Sequence, residues 1–334
     1  MNKRIILLIL IIFIIILVLF TEKTKDSYIN QFKKKTQKIK NPNISIGWVG
    51  DIVPTDNIDY NNSVFKDVQN YLEIPDLMIG NLEGGFADKN RISKCSYLKS
   101  HCYAFSGSPF FAQNLKVAGF DVVNLANNHA YDYGDEGLAD TEKILKENNI
   151  NFVSPTKPTL EIVVKNKKIG LLGITSSGDN YSTLNDYDFI SDQISKLKQR
   201  NDLVILLFHG GSEGSDKTLV ENKYEFFGTE NRGNVYLMAR VAIDAGADIV
   251  LGSGPHVLRK IEYYNNKLII YSAGNFAGGG KLITKDILGI SAIFNIEVEK
   301  TKILYNIVPI QLNILGIPSF DPSQKALTLI DSLK

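Results

Sequence analysis

The sequence is poor in cysteine and histidine, with two of the former and four of the latter among 334 residues. It lacks a net charge of any size, at +1. It has no internal repeat, and no low-complexity segment apart from a lysine-rich stretch near its N-terminus. Two cysteines cannot build a disulfide-dense miniature scaffold, and the spacing of Cys95 and Cys102 is not that of a zinc knuckle. In an exported chain so close a pair suits a local disulfide; in a cytoplasmic one the two remain free thiols. The charge is also uneven. Lys3, Arg4 and the seven lysines of residues 21–43, opposed by Glu22 and Asp26, carry +7 and leave residues 44–334 at −6. A mildly acidic body excludes a broad nucleic-acid surface.

Long apolar runs are scarce too. The unbroken one extends from Ile5 to Phe20, sixteen residues, or about 24 Å as a helix. With Thr21 and snorkelling lysines it can reach across a bilayer. No Ala-x-Ala site and no lipidation cysteine follows it, which favours an uncleaved signal anchor over a removed leader. Residues 1–21 therefore read as a transmembrane helix, 22–43 as a Lys-rich tether that spaces the body from lipid, and 44–334 as one α/β body. The expected location is the cell membrane, single-pass, with the body extracytoplasmic.

Within the body, apolar strands alternate with helical patterns before giving way to late hairpins. That order fits mixed sheets sandwiched between helices. The expected strands begin near Ile44, Leu77, Phe120, Lys168, Leu203, Asp248 and Leu268, with a last hairpin over 289–312. The expected helices cover about 109–118, 136–148, 189–200 and 233–245, which puts Arg232 at a helix start. Five strands end in polar residues able to bind a metal: Asp51, Glu83, Asn128, His209 and His256. Asn275 is expected to end a sixth. Loops beyond strand ends are where α/β folds place chemistry.

Three of the four histidines lie at such ends, which raises them above the ordinary reading of a histidine satisfied in the core. Asp51 also reads as a turn or helix cap, Glu83 as a solvated carboxylate, and Asn127-Asn128 as an Asx turn. Taken together they suit a hydrolytic centre. Glu83 can bridge two ions, Asp51 and His256 can complete one, and Asn128 and His209 the other. His129 then remains free to donate a proton or steady an oxyanion.

Several strings carry a family resemblance. They are Gly50-Asp51; Asn81-Leu82-Glu83; Ala126-Asn127-Asn128-His129-Ala130-Tyr131-Asp132-Tyr133-Gly134; His209-Gly210-Gly211-Ser212-Glu213; Gly254-Pro255-His256-Val257; and Tyr271-Ser272-Ala273-Gly274-Asn275-Phe276. In this order they resemble the CapA family, which is associated with poly-γ-glutamate capsule synthesis and export and is similar to the calcineurin-like metallophosphoesterases. The resemblance implies a four-layer α-β-β-α sandwich. It also implies a divalent metal (Mn, Zn or Fe) on Asp51, Glu83, Asn128, His209 and His256, and catalytic roles for His129 and Asp132. Glu213, Arg232 and Asn275 become substrate contacts.

The implied partners are a membrane capsule synthase complex, an anionic polymer, and lipid through residues 5–20, with no nucleic acid. Val53 and Gly254 stand where that superfamily carries histidines. One ion, water-completed ions and a metal-free binding cleft are therefore alternatives. The functions implied are capsule assembly, hydrolysis of a phosphoester or amide bond in the envelope, or silent polymer binding.

Overall fold

The structure, a computed structural model, describes residues 22–27, 29–30, 44–56, 63–97, 102–176 and 183–333. The apolar run Ile5–Phe20 and His101 lie outside the described residues. Among the described residues no helix is long and apolar enough to cross a membrane. Residues 22–27 and 29–30 are helical, and Ile29 is buried in the core of the body, so the expected tether touches the domain it should space from lipid.

Two sheets pack face to face. The first runs in the order β16-β15-β14-β1-β2-β3-β4. Its parallel half is β1 (Ile44–Ile52), β2 (Leu77–Leu82), β3 (Val122–Asn124) and β4 (Asn151–Val153). The antiparallel strands β14 (Ile290–Val298), β15 (Ile303–Leu312) and β16 (Pro318–Phe320) extend it. A short strand, β13 (Asn275–Ala277), runs parallel to the end of β1.

The second sheet runs in the order β11-β12-β10-β7-β6-β5. Its parallel centre is β6 (Lys167–Thr175), β7 (Leu203–His209), β10 (Ile249–Ser253) and β12 (Lys267–Ile270). Antiparallel β5 (Thr159–Val164) and β11 (Ile261–Tyr264) edge it. β8 (Glu225–Phe227) and β9 (Glu230–Gly233) form a separate hairpin.

Side-chain alternation assigns the layers. Ile46, Trp48, Ile79 and Val122 meet Ile205, Leu207, Ile249 and Leu251 between the sheets. Met78, Leu82 and Val123 point the other way, against α2 (Phe110–Val117) and α3 (Gly134–Glu147). Val204, Leu206, Phe208 and Val250 pack on α4 (Tyr187–Lys198) and α5 (Val235–Asp244). The short α1 (Gln69–Leu72) precedes β2 and buries Leu72 in the first helical layer; α6 (Lys325–Ser332) buries Ala326 and Ile330 at the edge of the inter-sheet core. Each fully buried aliphatic side chain contributes about 1.5–3 kcal/mol, which favours the register that keeps both faces apolar. The result is the expected helix–sheet–sheet–helix order.

Two sequence expectations are corrected. Arg232 lies in β9, and the helix after it starts at Val235 behind the capping Asn234, whose side chain accepts from Leu237 N. Asn275 does not end the strand that begins near Leu268. β12 stops at Ile270, the chain crosses to the other sheet, and Asn275 opens β13 in register with Asp51. The nearly continuous apolar run from Leu268 to Ala273 hides that crossover.

Candidate metal centre

The alternation that builds the inter-sheet core ends in polar residues on the same inner face. Asn81 follows Leu77 and Ile79 on β2, and Asn124 follows Val122 on β3. His209 follows Leu203, Ile205 and Leu207 on β7, and Ser253 follows Ile249 and Leu251 on β10. The apolar layer is thus closed at one end by a buried polar floor.

Asp51 joins that floor through a bulge. The register of β1 against β2 shifts between Val49 and Asp51, so Ile52 faces the helices while Asp51 faces the second sheet. A bulge re-aims the side chain that follows it. Gly50 is required here, since a Cβ at that position would stand 1.8 Å from Gly274 O. That close approach lets Asp51 N donate to Gly274 O at 2.9 Å.

The floor is tied together by side-chain amides. Asn81 Nδ2 donates to Asp51 Oδ1 (2.9 Å) and lies 3.2 Å from His209 Nδ1, and Asn124 Nδ2 donates to Asn81 Oδ1 (2.9 Å). Ser253 Oγ is 3.1 Å from His209 Nδ1. Sequence reasoning assigned no role to Asn81, Asn124 or Ser253. The available signal was their parity with the inward apolar residues of their strands.

Above the floor, three imidazoles converge on one carboxylate. The Nε2 atoms of His129, His209 and His256 stand 3.8, 3.6 and 3.8 Å from Glu83 Oε1. These separations are too long for hydrogen bonds. Both Glu83 oxygens and His209 Nε2 are buried without a hydrogen-bond partner among the described residues, as is Asn128 Oδ1. An unsatisfied buried polar atom costs about 1–3 kcal/mol, more when charged. Atoms that ligate one ion at about 2.0–2.2 Å stand about 3–4 Å from each other, and each of the three Nε2 atoms stands at that distance from Glu83 Oε1. Asp51, Glu83 and His256 each also offer a ligand atom within 4.8 Å of the others'.

The electrostatics agree. Burial pushes the Glu83 carboxyl up to about 8, and the neighbouring Asp51 and Glu213 add to that against His256 and Arg232. Burial opposes charge on His256, but Glu83, Asp51 and Glu213 outweigh it and raise it to about 10. Burial, with Arg232 and the other two histidines, holds His209 well below the ordinary imidazole range. Glu83, Asp51 and Glu213 thus crowd beside one guanidinium and favour positive charge in their midst. A divalent cation answers the same deficit, so the residues present fit a metal ion.

The loop after β3 divides its work. Asn127 Oδ1 accepts from His129 N, an Asx turn, while Asn127 Nδ2 donates to Leu82 O at 2.8 Å. Asn128 is left with its unpartnered oxygen. His129 Nδ1 is 2.8 Å from Asp132 Oδ2, and its ring lies 4.3 Å from that of Phe105. Asp132 also accepts from Phe105 N (2.6 Å) and pairs with Lys94 (2.6 Å). Asp132 therefore touches His129 and its supports, and fixes the imidazole with Nε2 facing inward. A disulfide, Cys95–Cys102, closes the segment between Lys94 and Phe105.

His256 adopts φ +60, a left-handed conformation, of the kind that clusters at functional sites. Its Nδ1 faces Asn275 Oδ1 (2.9 Å) and Asp51 Oδ2 (3.1 Å). Asn275 Nδ2 donates to Ile283 O and Leu288 O, so its polar atoms are engaged in holding His256 and the following loop. Arg232 has a fully buried side chain and contacts Glu213 (2.9 Å), Glu230 (3.2 Å) and Gly211 O (3.3 Å). The structure thus engages with protein partners two residues that the sequence reading assigned to substrate. Val53 is buried, with its N donating to Ala277 O at 2.7 Å. At Gly254, φ is +112 and a Cβ would stand 2.8 Å from Gly210 N, so this backbone leaves no space for an imidazole.

Comparison with known proteins gives consistent matches. A family model described as "Bacterial capsule synthesis protein PGA_cap" matches residues 45–279. The capsule biosynthesis protein CapA of Bacillus anthracis is 32% identical over 249 residues, covering 68% of this chain and 56% of that protein. The PGA biosynthesis protein CapA of Bacillus subtilis is 29% identical over 269 residues, covering 73% and 66% respectively. The chain thus matches 56% and 66% of the lengths of these two relatives. A solved structure described as a novel phosphatase of Mycoplasma pneumoniae aligns with a TM-score of 0.50 at 15% identity, over 86% of this chain and 99% of that one. That likeness is one of fold.

Proposed function

The chain belongs to the bacterial capsule synthesis protein family PGA_cap, and from that premise we propose that it is a metal-dependent hydrolase of a phosphoester or amide bond in the envelope, acting in the assembly or release of capsular poly-γ-glutamate. The observation that carries the reading is the convergence of three Nε2 atoms on the unpartnered Glu83 carboxylate. Asp51, Glu83, Asn128, His209 and His256 would hold the ion. A bound divalent cation lowers the pKa of a water and polarises the bond to be cut.

The chain's own residues supply the rest. His129 offers Nε2, which with Nδ1 protonated can take a proton from the attacking water and then, as the imidazolium, return it to the leaving group. Asp132 keeps the proton-bearing Nδ1 turned away from the substrate. The floor of Asn81, Asn124 and Ser253 fixes Asp51 and His209. His256, with 18% of its side chain exposed, meets solvent at the mouth. Arg232, engaged by Glu213 and Glu230, is not free to recruit polymer carboxylates in this arrangement.

We propose further that residues 5–20 anchor the chain in the cell membrane with the body outside, next to a membrane synthase complex. The apolar run and the Cys95–Cys102 disulfide support this location. Protease added to intact protoplasts should then degrade the body; full protection would exclude the orientation.

The test of the activity is metal content with hydrolysis. Purified protein supplied with Mn²⁺ should hold about one ion or more per chain and cleave an artificial phosphodiester, and Asp51→Ala should lose both. Well under one equivalent of metal, unchanged in His209→Ala, would overturn the enzyme reading. A second reading is a cleft that binds polymer without cutting it. It draws on Gly254, whose backbone leaves no space for one of the superfamily's imidazoles. Loss of surface polymer in a deletion strain, with Mn²⁺-supplied protein showing no hydrolysis, would favour it.

A further inference from the structure

We propose that Glu213 is a ligand of the metal centre, placed there by Arg232, and that its carboxylate takes over from the imidazoles missing at Val53 and Gly254. The inference rests on the metal-binding reading above and concerns which atoms complete the site.

Glu213 sits four residues after His209, in a loop that is held from beneath. The buried Arg259 guanidinium pairs with both oxygens of Glu225 (2.9 and 2.7 Å) and donates to Ser212 O (3.1 Å) and Lys217 O (2.6 Å). Glu225 Oε2 also accepts from Ser212 N at 2.8 Å. Backbone on both sides of Glu213 is therefore tied to one buried ion pair. Gly211 N donates to Arg232 O at 2.8 Å, which joins the loop to β9.

Arg232 then sets the direction of the side chain. Its Nη2 is 2.9 Å from Glu213 Oε1, and Glu213 Oε2 is turned to 3.7 Å from His256 Nε2. Only 15% of the Glu213 side chain is exposed. The buried Arg232 guanidinium requires a counter-charge, and in meeting it Glu213 is held with its second oxygen toward the metal centre. His256 Nε2 consequently lies between Glu213 Oε2 at 3.7 Å and Glu83 Oε1 at 3.8 Å. Neither contact is a hydrogen bond, and Glu213 Oε2 adjoins the centre through His256, a member of the group Asp51, Glu83 and His256 whose ligand atoms all lie within 4.8 Å of one another. The unpartnered, fully buried Glu83 carboxylate and His209 Nε2 point independently to a ligand in the same space. Carboxylate oxygens suit a hard ion such as Mn²⁺, whereas a histidine-rich set suits softer ones.

The test uses the full chain, stripped of metal and titrated with Mn²⁺ by electron paramagnetic resonance and with Co²⁺ by visible absorption. Glu213→Ala should weaken Mn²⁺ binding about tenfold or more and change the Co²⁺ ligand-field bands. Glu213→Gln, which keeps shape and Arg232 contact, should weaken it in the same direction if Ala fails to fold. Arg232→Lys should give an intermediate loss. Wild-type Mn²⁺ affinity and an unchanged Co²⁺ spectrum in Glu213→Gln, with binding lost in Asp51→Ala, would overturn this inference and leave the metal-binding reading standing. No Mn²⁺ or Co²⁺ binding by the wild-type chain would overturn both.

Discussion

Asp132 Oδ2 lies 2.8 Å from His129 Nδ1, so the carboxylate decides which nitrogen of the imidazole faces Glu83. Replacing it with an amide removes the preference for a proton on Nδ1. Asp132→Asn should lower the rate of phosphodiester cleavage about 10–100-fold. Metal content should stay unchanged, because Asp132 is not among the residues assigned to the ion. Parallel loss of metal and rate would place Asp132 in a different role.

Asn275 and His256 form a second such pair, with separable functions on the two ends of one amide. Oδ1 accepts from His256, and Nδ2 holds Ile283 O and Leu288 O. Asn275→Ala should lose both metal affinity and stability, the latter by about 1–3 kcal/mol. Asn275→Asp keeps the acceptor and should lose chiefly stability. Thermal melting and Mn²⁺ titration of the two variants separate these effects.

The Cys95–Cys102 disulfide closes the segment between Lys94 and Phe105, both of which reach Asp132. Its removal in a Cys95→Ser, Cys102→Ser double variant should cost about 2–3 kcal/mol for a loop this short. The same change should slow cleavage by loosening Asp132. Urea unfolding and initial rates with and without reductant measure both. A reduced protein with unchanged rate would show that Lys94 and Phe105 hold without it.

Away from the cleft, Arg240 bridges Glu262 (2.7 Å) and the Tyr271 hydroxyl (2.7 Å). Burial raises the Glu262 carboxyl, but Lys260, Tyr271 and Arg240 outweigh it and leave it below its ordinary value. A depressed carboxyl stabilises the fold above its unfolded value and loses that contribution as pH falls through the folded one. Glu262→Gln should therefore cost about 1–3 kcal/mol at pH 7, and the difference from wild type should shrink below about pH 4.5. Urea melts at the two pH values decide it.

Much of the site was legible along the chain. Asp51, Glu83, Asn128, His129, His209 and His256 could be picked out because each follows an apolar run, and parallel strands deliver their C-terminal ends to one edge. What stayed hidden has a physical cause. Asn81 and Ser253 look like ordinary strand residues until parity places them on the inner face. Asn275 could not be assigned to the first sheet, because a four-residue crossover from β12 leaves no local mark. Arg232 read as a free cation because nothing in its neighbours announces burial beside Glu213.

The layers follow from the order of residues alone, since a period of two in the strands and of 3.6 in the helices dictates which faces must be covered. So does the inventory of groups able to bind a metal. How those groups are used depends on contacts between distant parts of the chain. The bulge at Gly50-Asp51, the left-handed His256 and the buried Arg232 are all set in this way. Gly254 N, for example, stands 3.4 Å from Asp51 Oδ2 across 203 positions of sequence. Such contacts depend on how the two sheets meet, and no local pattern encodes that.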